Sequence, residues 1–191
     1  VPAGCPQGSC LSPILYNLYT YDIPQLEYCT MSIFADDTAI LCSETLAVDV
    51  MSNIQRALIE ISSYFNRWKI MLNNDKTQAI YFTRKRKACY LPQVNIIINN
   101  TVIEWEQKVK YLGVILDPKM KFKDHITYIV NKINILTRIL YPFINRNSSL
   151  NIFNKKLILK SIFHAVMFYA APVWTSSAKC HLKFRFPKIN Y

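Results

Sequence analysis

The clearest periodicity in the chain lies between residues 46 and 68. Leu46, Val50, Ile54, Leu58, Ile61, Phe65 and Trp68 recur at intervals of four and three, the spacing of one helix face. Ser43 or Thr45 stands where a cap is wanted, and Glu44 and Asp49 lie near the positive end of the helix dipole. Upstream, Ser12-Pro13 predicts a helix start, with Ser at the cap and Pro in the first turn. That helix runs through Leu15, Leu18 and Tyr19 to about Asp22 and stops before Pro24. Residues 31–34 and 38–42 are short apolar runs that predict two strands joined tightly through Ala35-Asp36-Asp37. Asn73-Asn74-Asp75 predicts a turn, and residues 78–82, 94–98, 101–103 and 111–116 predict strands, with Asn99-Asn100 as a hairpin turn.

After Asp117-Pro118 the helical period returns. Ile126, Ile129, Ile133, Leu136 or Thr137, and Leu140 give an amphipathic helix from about Asp124. Leu150, Phe153, Leu157 and Ile158 belong to a second, from about Ser149 to about Tyr169, with Pro142 and Pro172 as punctuation. The expected architecture is therefore α+β over residues 1–117 and helical over 118–179. Residues 180–191 lose the pattern and are expected to be an unstructured tail.

Composition supports a packed protein: 51% of the 191 residues are apolar and 13% aromatic, which excludes a disordered chain. No apolar run reaches the ~18 residues that span a bilayer, and residues 1–20 lack the order of a signal peptide. The six cysteines form no CxxC pair and the three histidines are scattered, so no zinc site is expected. Reduced thiols in an intracellular protein follow from the missing secretion signal. A first residue of Val1 rather than Met is expected of a piece of a longer protein.

The net charge of +11 is unevenly spread: residues 1–60 sum to −6 and residues 61–191 to +17. Arg84-Lys85-Arg86-Lys87 is followed by Lys108 and Lys110 and by Lys119, Lys121 and Lys123. Such asymmetry points to a polyanion partner for the later part, against the plainer reading of a solvated lysine surface.

Asp36-Asp37 raises a separate question. Two adjacent carboxylates between apolar strands repel each other, and a divalent cation removes the conflict. A bare Asp-Asp is ordinarily a solvated turn, but its flanks change the picture. Phe34-Ala35-Asp36-Asp37, between apolar runs, resembles the catalytic hairpin of reverse transcriptases, [FY]-A-D-D. Further segments match in order: Pro6-Gln7-Gly8-Ser9 with Ser12-Pro13, then Asn74-Asp75-Lys76-Thr77, then Tyr111-Leu112-Gly113-Val114, the last resembling the strand called the primer grip. The phrases LYNLYTYDIP and HAVMFYAAPVW resemble jockey-type non-LTR retrotransposons more than intron-encoded maturases.

The resemblance implies a partial right-hand polymerase palm, an antiparallel sheet with packed helices, followed by a thumb-like helical region. It implies RNA-directed DNA polymerase activity with two Mg²⁺ ions about 3.5–4 Å apart, an RNA template, a DNA primer and dNTP as partners, no membrane, and a location in nucleus or cytoplasm. Asp36 and Asp37 would be the metal ligands, Asp36 the stronger, and Lys76 would donate a proton to leaving pyrophosphate. Pro6, Gln7, Gly8, Ser9, Phe34 and Ala35 would line the nucleotide and template. Tyr111, Leu112 and Gly113 would sit under the primer end, and Lys119, Lys121, Lys123, Lys132 and Arg138 would grip phosphates. The family also needs an aspartate upstream of Pro6-Gln7-Gly8-Ser9, and no residue here takes that role, so the isolated chain is expected to be inactive. Two other readings stay open: a catalytically dead nucleic-acid-binding remnant, and an unrelated basic domain with a chance FADD turn.

Overall fold

The computed structural model of the chain describes residues 8–83 and 95–178, with the backbone alone for 176–178. Two compact units divide them: residues 8–79 with 95–105, and residues 80–83 with 106–178. The first holds α1 (Leu11–Tyr19), β1 (Thr30–Phe34), β2 (Asp37–Leu41), α2 (Ala47–Arg67), a 3-10 turn (Asn74–Lys76), β3 (Ile96–Ile98) and β4 (Thr101–Ile103). The second holds β5 (Val109–Tyr111), β6 (Val114–Leu116), α3 (Lys123–Ile144), α4 (Ile152–Ile158), a π-helical stretch (Leu159–His164), α5 (Ala165–Phe168) and α6 (Ala171–Ala178). The strands form three separate antiparallel hairpins among the described residues, so the α+β expectation holds.

The first unit is organised by α2. One stripe of it buries Ile61, Tyr64 and Phe65 against Ile23, Leu26, Met31, Ile40, Ile70 and Leu72. A neighbouring stripe sets Ile54 and Leu58 against Ile96, Ile98 and Ile103. Two hairpins that do not touch in sequence therefore share one helix. The Gln55 amide adds direction to the second contact: Nε2 donates to the Ile97 carbonyl at 2.8 Å and Oε1 accepts from the Ile97 N–H at 3.1 Å. It stands in for a missing strand partner. Asn99 and Asn100 both take positive φ, which makes the two-residue turn whose twist suits a hairpin.

The second unit is built on Val114, Phe122, Ile129 and Trp174, all buried, with Leu116, Ile126 and Ile133 packed around them. The turn before α3 is stapled by Asp117. Its carboxylate accepts from the Phe122 N–H at 2.7 Å and the Lys121 N–H at 3.1 Å, while its carbonyl accepts from Met120. This holds Met120 and Phe122 at positive φ and drives the Phe122 ring into the core. Lys119, Lys121 and Lys123 are left on the outside of the same turn.

Several expectations are corrected. α1 begins at Leu11, not at Ser12; Ser9 Oγ accepts from the Leu11 N–H, and Pro13 falls inside the first turn, where its missing N–H costs nothing. The helix ends at Tyr19 rather than Asp22. α2 begins at Ala47 with an extended Leu46 before it and no side-chain cap, so neither Ser43 nor Thr45 serves. Leu46 is exposed, whereas Met51, Ala57 and Tyr64, off the strict period, are buried, because two partners widen the buried arc. Residues 78–82 form no strand, only a parallel bridge between Ala79 and Trp105. The strand expected over 111–116 is a hairpin turning at Leu112-Gly113. α3 passes through Pro142 to Ile144, since Pro there removes one late hydrogen bond only. The second long helix starts at Ile152 rather than Ser149 and passes through a π-helical stretch, ending at Phe168 close to the expected Tyr169; Phe153 and Leu157 face outward while Phe163 is the buried residue. The change to helical period at residue 117 is not where the compact units part: β5 and β6 lie in the second unit because Val114 and Leu116 pack with Phe122, Ile129 and Trp174.

His125 lies at 1% exposure beside Trp174 and Tyr128, and its Nδ1 accepts from the Ile115 N–H at 3.3 Å. Burial pushes its pKa below the ordinary value of about 6.5. The fold therefore holds the neutral ring, with the proton on Nε2. The unfolded chain takes up that proton first on acidification, so this stability is present above about pH 6.5 and is lost as pH falls below it.

Two measurements check this account. Trp174→Ala is expected to destabilise the second unit by about 3–5 kcal/mol in urea unfolding, the cost of emptying a buried aromatic site, whereas exposed Phe153→Ala changes it by less than about 0.5 kcal/mol. Between pH 7 and pH 5, unfolding free energy is expected to fall at up to about 1.4 kcal/mol per pH unit. His125→Gln, which keeps an acceptor but cannot titrate, removes His125's share of that slope. An unchanged slope in the variant contradicts the assignment.

Candidate functional site

The register of the β1–β2 hairpin decides where the two carboxylates go. Phe34 pairs with Asp37 and Ile33 with Thr38, so only Ala35 and Asp36 form the turn and Asp37 belongs to a strand. This corrects the three-residue connection expected from the sequence. Ala35 has φ +51 while Asp36 stays in the ordinary negative region, the arrangement of a type II′ turn, whose first position favours glycine. An alanine there costs of order 1 kcal/mol of backbone strain. The Tyr16 hydroxyl on α1 donates to the Ala35 carbonyl at 2.8 Å, which helps to hold that conformation.

Asp36, Asp37, Phe34 and Ala35 are all exposed. Asp36 projects from the turn, and Asp37 shares its face with Phe34, Ser32 and Ala39, the face opposite the Met31 and Ile40 pair that packs on α2. The two carboxylates are therefore presented at one end of a hairpin whose other face is anchored. The Tyr16 hydroxyl has its pKa raised, first by burial and then by the negative charge of Asp36. Asp36 thus stands close enough to Tyr16 for its charge to be felt. Tyr16 was not singled out by the sequence; no local signal separates it from the other tyrosines of LYNLYTYDIP.

Two adjacent carboxylates fit a hard divalent cation in donor type, since Mg²⁺ takes oxygen ligands and is often held by one or two carboxylates plus substrate phosphates. They do not complete a set by themselves: among the described residues no group of three or more His, Cys, Asp or Glu side chains converges. The hairpin can hold part of a metal site and leaves the remaining positions to other oxygens.

The other predicted site residues are placed as follows. Pro6 and Gln7 lie outside the described residues. Gly8 takes φ +86 with open space where a side chain would stand, and Ser9 Oγ accepts from the Leu11 N–H just before α1, whose N-cap position is Cys10. Lys76 is exposed at the end of the 3-10 turn, its N–H donating to Asn73 Oδ1 at 3.2 Å; no hydrogen bond or ion pair joins it to Asp36 or Asp37 among the described residues. The Asn74 amide donates to Thr101 Oγ1 and ties that turn to β4.

Tyr111, Leu112 and Gly113 belong to the second unit. Leu112 (φ +44) and Gly113 (φ +80) form the two-residue turn between β5 and β6. Nearby, Lys108 pairs with Asp124 at 2.8 Å, and the Lys110 ammonium lies over the Tyr128 ring. Lys132 and Arg138 are exposed along α3, with exposed Lys121 and Lys123 at its start. The run Arg84 to Lys87 lies outside the described residues. No described helix is long and apolar enough to cross a membrane.

Comparison with known proteins bears on these residues together. The family profile of the reverse transcriptase (RNA-dependent DNA polymerase) matches residues 2–116, which includes the carboxylate hairpin, Lys76 and the Leu112-Gly113 turn. The probable RNA-directed DNA polymerase from transposon X-element of Drosophila melanogaster is 30% identical over 188 residues, covering 96% of this chain and 20% of that protein. The RNA-directed DNA polymerase from mobile element jockey of Drosophila funebris is 31% identical over 191 residues, covering 95% of the chain and 20% of its own length. A Pol polyprotein of the type-1 retrotransposable element R1 from Bradysia coprophila is 26% identical over 177 residues, covering 91% of the chain and 17% of the polyprotein. The chain thus spans about a fifth of the length of these relatives. No solved structure matches it significantly. The resemblance carried by FADD and its ordered companions is met across more than half of the sequence, and the chain belongs to the reverse transcriptase (RNA-dependent DNA polymerase) family.

Proposed function

We propose that this chain supplies part of the palm and the thumb-like region of an RNA-directed DNA polymerase, whose reaction joins a primer 3′-hydroxyl to the α-phosphate of a dNTP and releases pyrophosphate. The observation that carries this is the placing of Asp36 on a strained two-residue turn at the open end of an anchored hairpin, in a chain of this family.

Divalent cations, Mg²⁺ by family resemblance, would neutralise charge on the reacting phosphate and activate the primer hydroxyl. The chain's own part is then positional. Asp36 and Asp37 offer carboxylate oxygens, Asp36 from the turn and Asp37 from the first position of β2. Lys76 gives up a proton to the leaving pyrophosphate. Gln7 and Gly8 line the template and the nucleotide, where a residue without a side chain allows close approach. Tyr111, Leu112 and Gly113 support the primer end. Lys119, Lys121, Lys123, Lys132 and Arg138 neutralise duplex phosphates. The RNA template and DNA primer are the polyanion implied by the +17 charge of residues 61–191, and the work is done inside the cell, in nucleus or cytoplasm.

A second reading for the chain taken alone is that it binds nucleic acid without extending it, since among the described residues no third carboxylate, thiol or imidazole converges with Asp36 and Asp37. Residues 1–191 are expected to show no Mg²⁺-dependent primer extension. Synthesis by the isolated chain would contradict this. In a longer polymerase containing the segment, Asp36→Asn is expected to lower kcat by roughly 10²–10³-fold or more, the scale of removing one fixed electrostatic contact at a reacting centre, and near-normal turnover would refute its role.

Nucleic-acid binding by residues 1–191 is expected to weaken by roughly 10²-fold between 50 and 200 mM salt if about four phosphates are neutralised. A filter-binding titration with a flat salt response would overturn the electrostatic grip.

A further inference from the structure

We propose that Tyr169 is a positioning residue for the primer 3′ end, acting through the Leu112-Gly113 turn; this rests on the reading of Tyr111, Leu112 and Gly113 as the primer support. Tyr169 sits at the break between α5 and α6, where helical packing does not call for a tyrosine, and the residue is 55% exposed. Its hydroxyl nevertheless donates to the Leu112 carbonyl at 2.9 Å. Its ring touches the next residue of the same turn: a β-carbon on Gly113 would stand 3.2 Å from Cε1 of Tyr169. One side chain thus meets both residues of a two-residue turn, one by a hydrogen bond and the other by a contact so close that a β-carbon there would ask the ring to give by a few tenths of an ångström.

The tyrosine is itself held. Its carbonyl accepts from the Trp174 indole N–H at 3.0 Å, and Ala170 beside it takes φ +49, a conformation that alanine adopts at a cost. Trp174 is 2% exposed in the buried cluster that also contains Val114, the first residue of β6. Tyr169 and the hairpin are therefore referenced to the same core. At the far side of the turn, the Ile115 N–H is fixed by His125. The tip is held from one side by Tyr169 and its exit strand from the other by His125, so the turn has little freedom to yield when a nucleic-acid end bears on it. A tyrosine needed only for packing would be buried; this residue is exposed and commits its hydroxyl to the turn.

The test uses the full 191-residue chain and Tyr169→Phe, which keeps the ring and removes the hydroxyl. Two readouts are taken. The first is hydrogen exchange in residues 109–116, expected to quicken at least threefold in the variant. The second is the ratio of affinities for an RNA–DNA hybrid with a recessed DNA 3′ end and for the same hybrid with both ends closed by loops. The wild-type chain is expected to prefer the recessed end, and Tyr169→Phe to lower that preference at least threefold with closed-hybrid affinity unchanged. A merely structural role would leave the ratio alone. Unchanged exchange, or an unchanged ratio beside a wild-type preference, overturns the positioning role. A wild-type chain with no preference for the recessed end overturns the primer-support reading itself, and the proposal with it.

Discussion

Pairing of Phe34 with Asp37 leaves just two residues to reverse the chain, and the candidate site depends on that constraint. A strand's side chains alternate between faces. With Met31 and Ile40 committed to the α2 core, Asp37 is sent to the opposite, open face, and Asp36 is left at the tip. A register one residue longer or shorter would turn the strand over and bury a carboxylate among isoleucines. The strain at Ala35 is the local cost of this arrangement, offset by the Tyr16 hydroxyl on its carbonyl and by burial of Ile61, Tyr64 and Phe65 beneath the strands.

The same logic recurs in the second unit with different parts. A two-residue turn, here Leu112-Gly113, closes a short hairpin whose next residue, Val114, is buried in the core. Here the anchors are side chains from later in the chain: His125 on Ile115, Trp174 in the core with Val114, Tyr169 on Leu112. Each unit thus presents a tight turn on a fixed base. The contacts that fix each turn are long-range, 19 residues in one case and 57 in the other.

That distance explains what the sequence could and could not reveal. Elements with a local signal were legible: the long period from Leu46, the Asn99-Asn100 turn, the amphipathic face of α3, and the carboxylate hairpin itself. The family was legible too, because its residues come in ordered short phrases. The boundaries of α1 and α2 were not, since Ser12, Ser43 and Thr45 are good caps that the chain does not use; Leu46 begins α2 uncapped. The strand at 78–82 failed because apolar alternation predicts a strand only where a partner strand exists, and among the described residues the strand pairing of this segment is the one bridge between Ala79 and Trp105. The turn at Leu112-Gly113 hid inside a continuous apolar run, its only mark being one of three glycines. Tyr16, His125 and Tyr169 act through partners that no spacing reveals.

Asp36 and Asp37 are proposed to hold a divalent cation, and its position can be read directly. Fe²⁺ can replace Mg²⁺ at oxygen-donor sites and, with peroxide and ascorbate, cuts the backbone nearest to it. With template, primer and dNTP present, cleavage is expected to concentrate around residues 34–38, to be suppressed by excess Mg²⁺, and to vanish in Asp36→Asn with Asp37→Asn. Cleavage spread evenly along the chain, or a cut at this hairpin that survives both substitutions, would contradict the assignment.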